Sequence, residues 1–457
     1  MLMDLAEYIP VFMIVSLAVT LFTGYPVAFV LSGIGVLFAG LGMLIGEFPF
    51  IAFFNIPARL WGSINGSLIF PSVPMLIFMG IALEKSGVAK EMLLGIQGLV
   101  HRLPGSLAVA MTILGILLAP SAGLVGASVA TLTLIGLPTM LSQGYSKSYA
   151  IGSVAAAGTL GIILPPGIIL FFLADLMGIS IGPIFLSTLM PIALLAGFFI
   201  FYYMGRGYLD PTVAPKLNNE RQVDFEGVLK NALRGLFLPT VLIISVLGSI
   251  IGGVATPVQS AAVGAGGSII IMYLKGRATR EYIHQVIVTT ATTCSMVFFI
   301  ILAASVFVYP FNYFGGTDLI SGLLKGLELE DWGMLFIILG TIFVLGFFID
   351  WIEITVIVLP ILMPVLYSLD FTSHVGGQTA LVEIWLAVQI ALVLQTSFLT
   401  PPFGFSLFFA KGAAPPEVTL VDTYKGVLPL VLLQLITIAL VATFPSIAIW
   451  LPSLLID

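Results

Sequence analysis

Two places in this chain set adjacent prolines inside a long apolar run: Gly158-Thr159-Leu160-Gly161-Ile162-Ile163-Leu164-Pro165-Pro166-Gly167 and Gln395-Thr396-Ser397-Phe398-Leu399-Thr400-Pro401-Pro402-Phe403-Gly404. A proline has no amide donor and its ring clashes with the turn before it, so a helix reaching such a pair must break and leave carbonyls unpaired. In hydrocarbon, broken backbone persists only where it faces protein or a water-filled cavity. Freed carbonyls beside Thr and Ser hydroxyls are hard oxygen ligands that suit a small cation. One such break reads equally well as a kinked helix with no ligand. Two of them, half a chain apart, favour a binding site.

The surrounding composition makes hydrocarbon the relevant solvent. Of 457 residues 59% are hydrophobic and 8% charged, against about a quarter charged in soluble domains. This is the signature of an all-α polytopic membrane protein, and at about 20 residues per crossing the apolar runs supply roughly ten to twelve spans. The net charge of -6 carries no message about nucleic acid, because the basic residues sit in short loops without a patch of interleaved aromatics. The single cysteine, Cys294, excludes an internal disulfide and a Cys-based metal site. Met1–Tyr8 carries Asp4 and Glu7 but no basic residue, so no cleavable signal peptide is expected and the first apolar run should be retained.

Landmarks repeat at nearly one offset. Pro26, Gly33 and Gly35 are echoed by Pro257, Gly264 and Gly266, Gly105 by Gly333, and Pro165-Pro166 by Pro401-Pro402. This spacing argues for an internal duplication: a first repeat over 1–204, a polar linker over 205–234 and a second repeat over 235–457. Each repeat is expected to hold five crossings and one re-entrant helical hairpin. The hairpins fall at 105–141, tipped at Ser121, and at 333–366, tipped at Ile349-Asp350-Trp351-Ile352-Glu353. The broken spans fall at 148–177 and 384–410. The first hairpin's two arms of roughly 15 residues are short for a hydrocarbon layer of about 30 Å, although two tightly turned full spans remain the other reading. Glu47–Asn65, with Pro49, Pro57, Arg59 and Trp61, reads as a surface-lying arm, and the stretch holding Lys85, Lys90, Glu91, His101 and Arg102 as a polar connection.

Five crossings are an odd number, so the repeats must be inverted. Loop charge agrees: with the linker in the cytoplasm, only Arg59 and Lys325 of the 16 basic residues fall outside, a strong positive-inside bias. Both termini are then outside.

Inverted repeats with opposed hairpins and two broken spans put four backbone breaks near the bilayer midplane. Half-helix N-termini suit an anionic substrate, and unwound carbonyls with half-helix C-termini suit a cation such as sodium. The expected sodium ligands are Ser121, Gly123, Gly158, Thr159 and Gly161 in the first half and Asp350, Thr396, Ser397 and Thr400 in the second. The substrate is expected at Ser121, Pro165, Pro166, Gly167, Asp350, Pro401, Pro402 and Gly404. Asp350 and Glu353 share a helical face, and a charge in the bilayer interior costs about 3 kcal/mol on insertion scales. Asp350 is thus a cation ligand or hairpin anchor, with a structural pair facing an aqueous vestibule as the alternative for both acids. Gly33, Gly35, Gly264 and Gly266 read as close helix packing. No phosphate-binding GxxxxGK[ST] loop, His-Glu-x-x-His pair or Gly-x-Ser-x-Gly elbow is present, which disfavours an enzyme; no cofactor is expected beyond the coupling ion.

The hairpin tip Ala119-Pro120-Ser121-Ala122-Gly123, the motif Gly161-Ile162-Ile163-Leu164-Pro165-Pro166-Gly167, the segment Thr256-Pro257-Val258-Gln259-Ser260-Ala261-Ala262-Val263-Gly264-Ala265 and Leu399-Thr400-Pro401-Pro402-Phe403-Gly404 together resemble the large membrane subunit of TRAP (tripartite ATP-independent periplasmic) transporters. The resemblance covers essentially the whole chain. It implies an elevator-type sodium symporter of a bacterial or archaeal inner membrane, surrounded by membrane lipid. It also implies two partners, a small four-helix membrane subunit and a periplasmic substrate-binding protein that delivers a small organic anion, a carboxylate or sulfonate. The stand-alone sodium/dicarboxylate symporters share the hairpin plan and are the alternative. The segment Thr256-Pro257-Val258-Gln259 stands where the family usually has Thr-Pro-Thr-Glu.

Overall fold

In the computed structural model, residues 8–118, 125–215 and 225–454 are described, and every regular element among them is helical. The first stretch contains α1 (Ile9–Leu21), α2 (Val27–Leu44), the short α3 (Phe50–Phe53) and α4 (Asn55–Asn65), then α5 (Ser72–Lys85) and α6 (Val88–Val100). Next come α7 (Ser106–Leu118), α8 (Val125–Ser142), α9 (Lys147–Leu160), α10 (Ile168–Met177) and α11 (Ile181–Leu209). Beyond the linker lie α12 (Phe225–Ile251), α13 (Pro257–Leu274), α14 (Arg280–Tyr313), α15 (Gly316–Lys325) and α16 (Asp331–Leu345). The chain ends with α17 (Trp351–Glu353), one π-helical turn (Ile354–Val358), α18 (Leu359–Leu366), α19 (Thr379–Leu399), α20 (Phe405–Ala413), α21 (Leu420–Thr443) and α22 (Ser446–Ser453).

By length and composition 6 of these helices can cross a membrane: α2, α11, α13, α14, α19 and α21. Other apolar helices are shorter, among them α1 with 13 residues, α7 with 13 and α16 with 15. The supposed polar connection after Lys85 is instead the helix α6, bent by 66° from α5. The bend falls at Gly87, whose φ of 78° is left-handed and costs glycine nothing. Val88, Met92, Leu93 and Ile96 of α6 are buried while Lys90 and Glu91 are exposed. The helix is amphipathic, and its charges stand on the outer face. Glu91 pairs with Lys275 at the end of α13.

Contacts divide the chain into two compact units, each drawn from both halves of the sequence. The first is Met1–Phe70, Thr292–Ile342 and Ile349–Phe371. In it the arm α4 packs on α14: the Arg59 guanidinium lies 4.5 Å from the centre of the Tyr309 ring, and Asn55 Nδ2 donates to Tyr309 Oη at 3.1 Å. Phe48 joins Tyr309, Tyr313 and Phe314 in an aromatic cluster. A Cβ on Gly35 of α2 would sit 2.5 Å from the Val306 carbonyl oxygen, so the two backbones touch.

The second unit is Pro71–Ala291, Phe343–Phe348 and Thr372–Asp457. Here α5 packs on α13, α6 on α12, α20 on α8, and α9 against α7, α8 and α21. The α9–α21 crossing is backbone on backbone: a Cβ on Gly152 would meet the Gly426 carbonyl oxygen at 2.4 Å, and one on Gly426 would meet the Ser148 carbonyl oxygen at 2.0 Å. Gly264 packs against a side chain instead, its Cβ position 2.6 Å from Met79 Sδ, whereas Gly33 and Gly266 have open space on their Cβ side. Each lies two residues from a packed glycine, which turns it about 200° round the helix and away from the contact. The Thr256-Pro257-Val258-Gln259 segment forms a capping box at the start of α13: Gln259 N–H donates to Thr256 Oγ1, and Thr256 N–H to Gln259 Oε1 at 2.9 Å. A Gln serves this cap as well as the family's Glu.

Candidate functional site

Both breaks foretold by the paired prolines are present in the second unit. The first separates α9 from α10 over residues 161–167, and the second separates α19 from α20 over residues 400–404. Their backbones correspond closely. Each ends in a glycine with extended ψ, Gly167 at (−63°, 135°) and Gly404 at (−50°, 124°), which starts the next helix without a side-chain cap. A Cβ on Gly167 would lie 2.4 Å from the Ile162 carbonyl oxygen and 2.9 Å from that of Leu164. On Gly404 it would lie 2.5 Å from Phe398 O and 2.9 Å from Thr400 O. Only glycine lets the chain curl this tightly over its own carbonyls. Both the Pro165-Pro166 and Pro401-Pro402 bonds are cis.

Electrostatically each break joins a helix C-terminus, α9 or α19, to a helix N-terminus, α10 or α20. Partial negative and partial positive charge therefore face the same few residues. Thr159 is fully buried, and its hydroxyl donates to Ala156 O at 2.8 Å. In the second break the Thr396 hydroxyl donates to Leu392 O at 2.8 Å, Ser397 to Leu394 O at 2.7 Å and Thr400 to Thr396 O at 2.7 Å. A hydroxyl that has given its proton to a carbonyl still has lone pairs to offer a cation. Gly158 packs against Val129 of α8, with 2.5 Å from its Cβ position to Val129 Cγ2, and Gly161 ends α9. Pro165 and Pro166 are buried, whereas Pro402 is exposed and its carbonyl accepts from Tyr424 Oη at 2.8 Å. Ser121 and Gly123 lie outside the described residues.

The first unit holds Asp350 and Glu353. Asp350 caps α17, its Oδ1 accepting the Trp351 N–H at 2.8 Å. Glu353 is 4% exposed and its Oε2 has no partner among the described residues. The π-turn begins at the next residue, with the Thr355 hydroxyl donating to Trp351 O at 2.7 Å.

One polar set carries no expected role from the sequence: Gln389 and, at the head of the second double-proline motif, Gln395 on α19, and Gln434 on α21. All three are buried, and neither end of any of their amides is hydrogen-bonded among the described residues. Trp385 Nε1 donates to Val441 O at 2.9 Å, and with the Tyr424 bond to Pro402 this fixes an antiparallel register between α19 and α21. Gln389, one turn from Trp385, and Gln434, two turns from Val441, then stand on facing surfaces within about a turn of each other. The signal in the sequence was simply an amide in the middle of an apolar span, where polar side chains are costly without a role.

The C4-dicarboxylate TRAP transporter large permease DctM of Rhodobacter capsulatus is 27% identical over 84% of this chain and 87% of its own length. The sialic acid TRAP transporter large permease SiaM of Vibrio cholerae is 26% identical over 95% and 96%. The isethionate TRAP transporter permease DctMQ of Oleidesulfovibrio alaskensis is 26% identical over 82% of this chain and 57% of the relative. The crystal structure of the Alcanivorax borkumensis YdaH transporter, reported to have an unusual topology, matches 86% of this chain and 88% of its own, with a TM-score of 0.54 at 15% identity. That similarity concerns the fold. The family model of the tripartite ATP-independent periplasmic transporter DctM component matches residues 14–447, and the chain, a multi-pass membrane protein and not an enzyme, belongs to that family.

Proposed function

We propose that this chain is the sodium-coupled permease of a tripartite system that takes up a small organic anion, a carboxylate or sulfonate, across the cytoplasmic membrane of a bacterium or archaeon. The observation carrying the proposal is the matched pair of breaks, each closed by a glycine folded over its own carbonyls and flanked by hydroxyls. In this reading Thr159 with the carbonyls of 158–161, and Thr396, Ser397 and Thr400, hold sodium. Asp350 and the tip around Ser121 and Gly123 complete the ion sites. The uncapped N-termini of α10 and α20, after Pro165-Pro166-Gly167 and Pro401-Pro402-Phe403-Gly404, receive the anion's charge.

The halves 1–204 and 235–457 are then inverted repeats joined by a cytoplasmic linker, and both termini lie outside. Ion binding orders the hairpin tips, and the hairpin-bearing part slides as an elevator against a scaffold. A small membrane subunit and a periplasmic binding protein are the working partners. The relatives named for C4-dicarboxylates, sialic acid and isethionate support an acidic substrate.

Uptake into proteoliposomes containing this chain and its small subunit, with and without the neighbouring binding protein, tests the reading. Uptake that needs both a sodium gradient and the binding protein is expected. Sodium-driven uptake without a binding protein would place the chain with stand-alone symporters, and uptake indifferent to sodium would remove the ion sites.

A further inference from the structure

A second site lies at the end of the second unit where α9 and α21 begin and α11 ends. A cavity of about 370 Å³ opens there, lined among others by Ser146, Ser148, Tyr202, Arg206 and Lys425. Its polar lining is made of donors and cations, with no carboxylate. Ser146 is the N-cap residue of α9, yet its side chain makes no cap hydrogen bond, so the first amides of that helix are left without a side-chain partner on the cavity side. The close approach of Gly426 to the Ser148 carbonyl sets the second turn of α21 against the first turn of α9 here. That contact places Lys425 beside the α9 N-terminus.

Two acids lie within electrostatic reach of these cations, Asp210 of Arg206 and Asp422 of Lys425, but both direct their hydrogen bonds to threonines and not into the cavity. Asp210 accepts both the amide and the hydroxyl of Thr212, at 3.1 and 2.5 Å. Asp422, one turn before Lys425, accepts both the amide and the hydroxyl of Thr419, at 2.9 and 2.6 Å. Lys147 turns outward to the Glu417 carbonyl at 2.8 Å. Among the described residues no carboxylate stands within ion-pair distance of Arg206 or Lys425, whereas Lys275 and Glu91 do pair.

A helix N-terminus, a planar guanidinium, an ammonium and two serine hydroxyls converging on one cavity are the elements that bind a multi-oxygen anion. We infer that this cavity binds a phosphate group, through Arg206, Lys425 and the N-terminal turn of α9 with Ser146 and Ser148. The phosphate comes either from an anionic lipid headgroup or from a soluble phosphate compound. This site is separate from the two helix breaks and does not depend on the ion coupling proposed for them.

The test uses the full-length chain in two arms. In detergent, inorganic phosphate is titrated at constant ionic strength while the thermal unfolding midpoint is read. In nanodiscs, phosphatidylglycerol is compared with phosphatidylcholine by the same readout. Stabilisation by free phosphate, shifted at least tenfold to higher concentration in Arg206→Gln/Lys425→Gln, supports a soluble ligand. Stabilisation by phosphatidylglycerol alone, abolished in the double variant, supports a lipid headgroup. No stabilisation in either arm, or an equal response in the double variant, overturns the inference. Should the double variant not fold, Ser148→Ala is used instead and is expected to weaken the response about threefold; an unchanged response overturns the inference equally.

Discussion

The two breaks share a backbone and differ in their surroundings. Around the first, Gly161, Ile162, Ile163, Pro165, Pro166 and Gly167 are buried and a single hydroxyl, Thr159, adjoins the turn. Around the second, Pro402 and Phe403 are exposed and four hydroxyls adjoin the turn, those of Thr396, Ser397, Thr400 and Ser406, the last donating across it to Phe398 O at 2.5 Å. The helix leading into the first break approaches through small residues, Ala155, Ala156 and Ala157, and the helix leading into the second carries buried amides, Gln389 and Gln395. One device of two prolines and a glycine therefore serves two environments, a sealed turn braced by neighbouring backbone and an open turn rich in oxygen.

The shared backbone must respond alike at the two sites even though their surroundings differ. Gly167→Ala drives a Cβ into the Ile162 and Leu164 carbonyls and Gly404→Ala into those of Phe398 and Thr400, so each is expected to cost about 3 kcal/mol. Unfolding midpoints of the purified variants decide, and a loss confined to one site would break the correspondence. Removing oxygen sharpens the contrast in surroundings. The triple change Thr396→Val, Ser397→Ala and Thr400→Val should raise the sodium concentration for half-maximal uptake at least tenfold, about 1.4 kcal/mol, and Thr159→Val should raise it less. A larger effect at Thr159 would make the sealed break the main ion site.

Replacing Gln389 and Gln434 together by Leu should stabilise the unit by about 1 kcal/mol, because unpaired buried amides give way to apolar packing. A lower midpoint would show that ordered water pairs them. The smallest effect expected is that of Tyr424→Phe, which deletes the bond to the Pro402 carbonyl and should cost about 1 kcal/mol or less.

Much of this organisation was legible in the residues. The breaks followed from proline's missing donor, and the two apolar segments that open and close the stretch 333–366 are helical at Asp331–Leu345 and Trp351–Leu366, within a few residues of those bounds. What escaped notice were features that depend on partners. Helix α6 was hidden because Lys90 and Glu91 make its stretch look like a loop until its buried face is paired with α12. Gly33 and Gly35 are indistinguishable in sequence, and only the position of Val306 tells which one is packed. Gln389 and Gln434 carried no pattern, and Gln395 stood in the second motif without a role, since their meaning comes from the register of α19 against α21.

The contact between Gly152 and Gly426 acts as a depth gauge. With no side chain to compress, it fixes the height of α9 against α21 to within the radius of an atom. Gly158 lies six residues further on, about 9 Å along the helix, so the level at which the first break opens is measured from that contact. A single methyl added there would leave every residue of the break in place and still set the turn at the wrong depth.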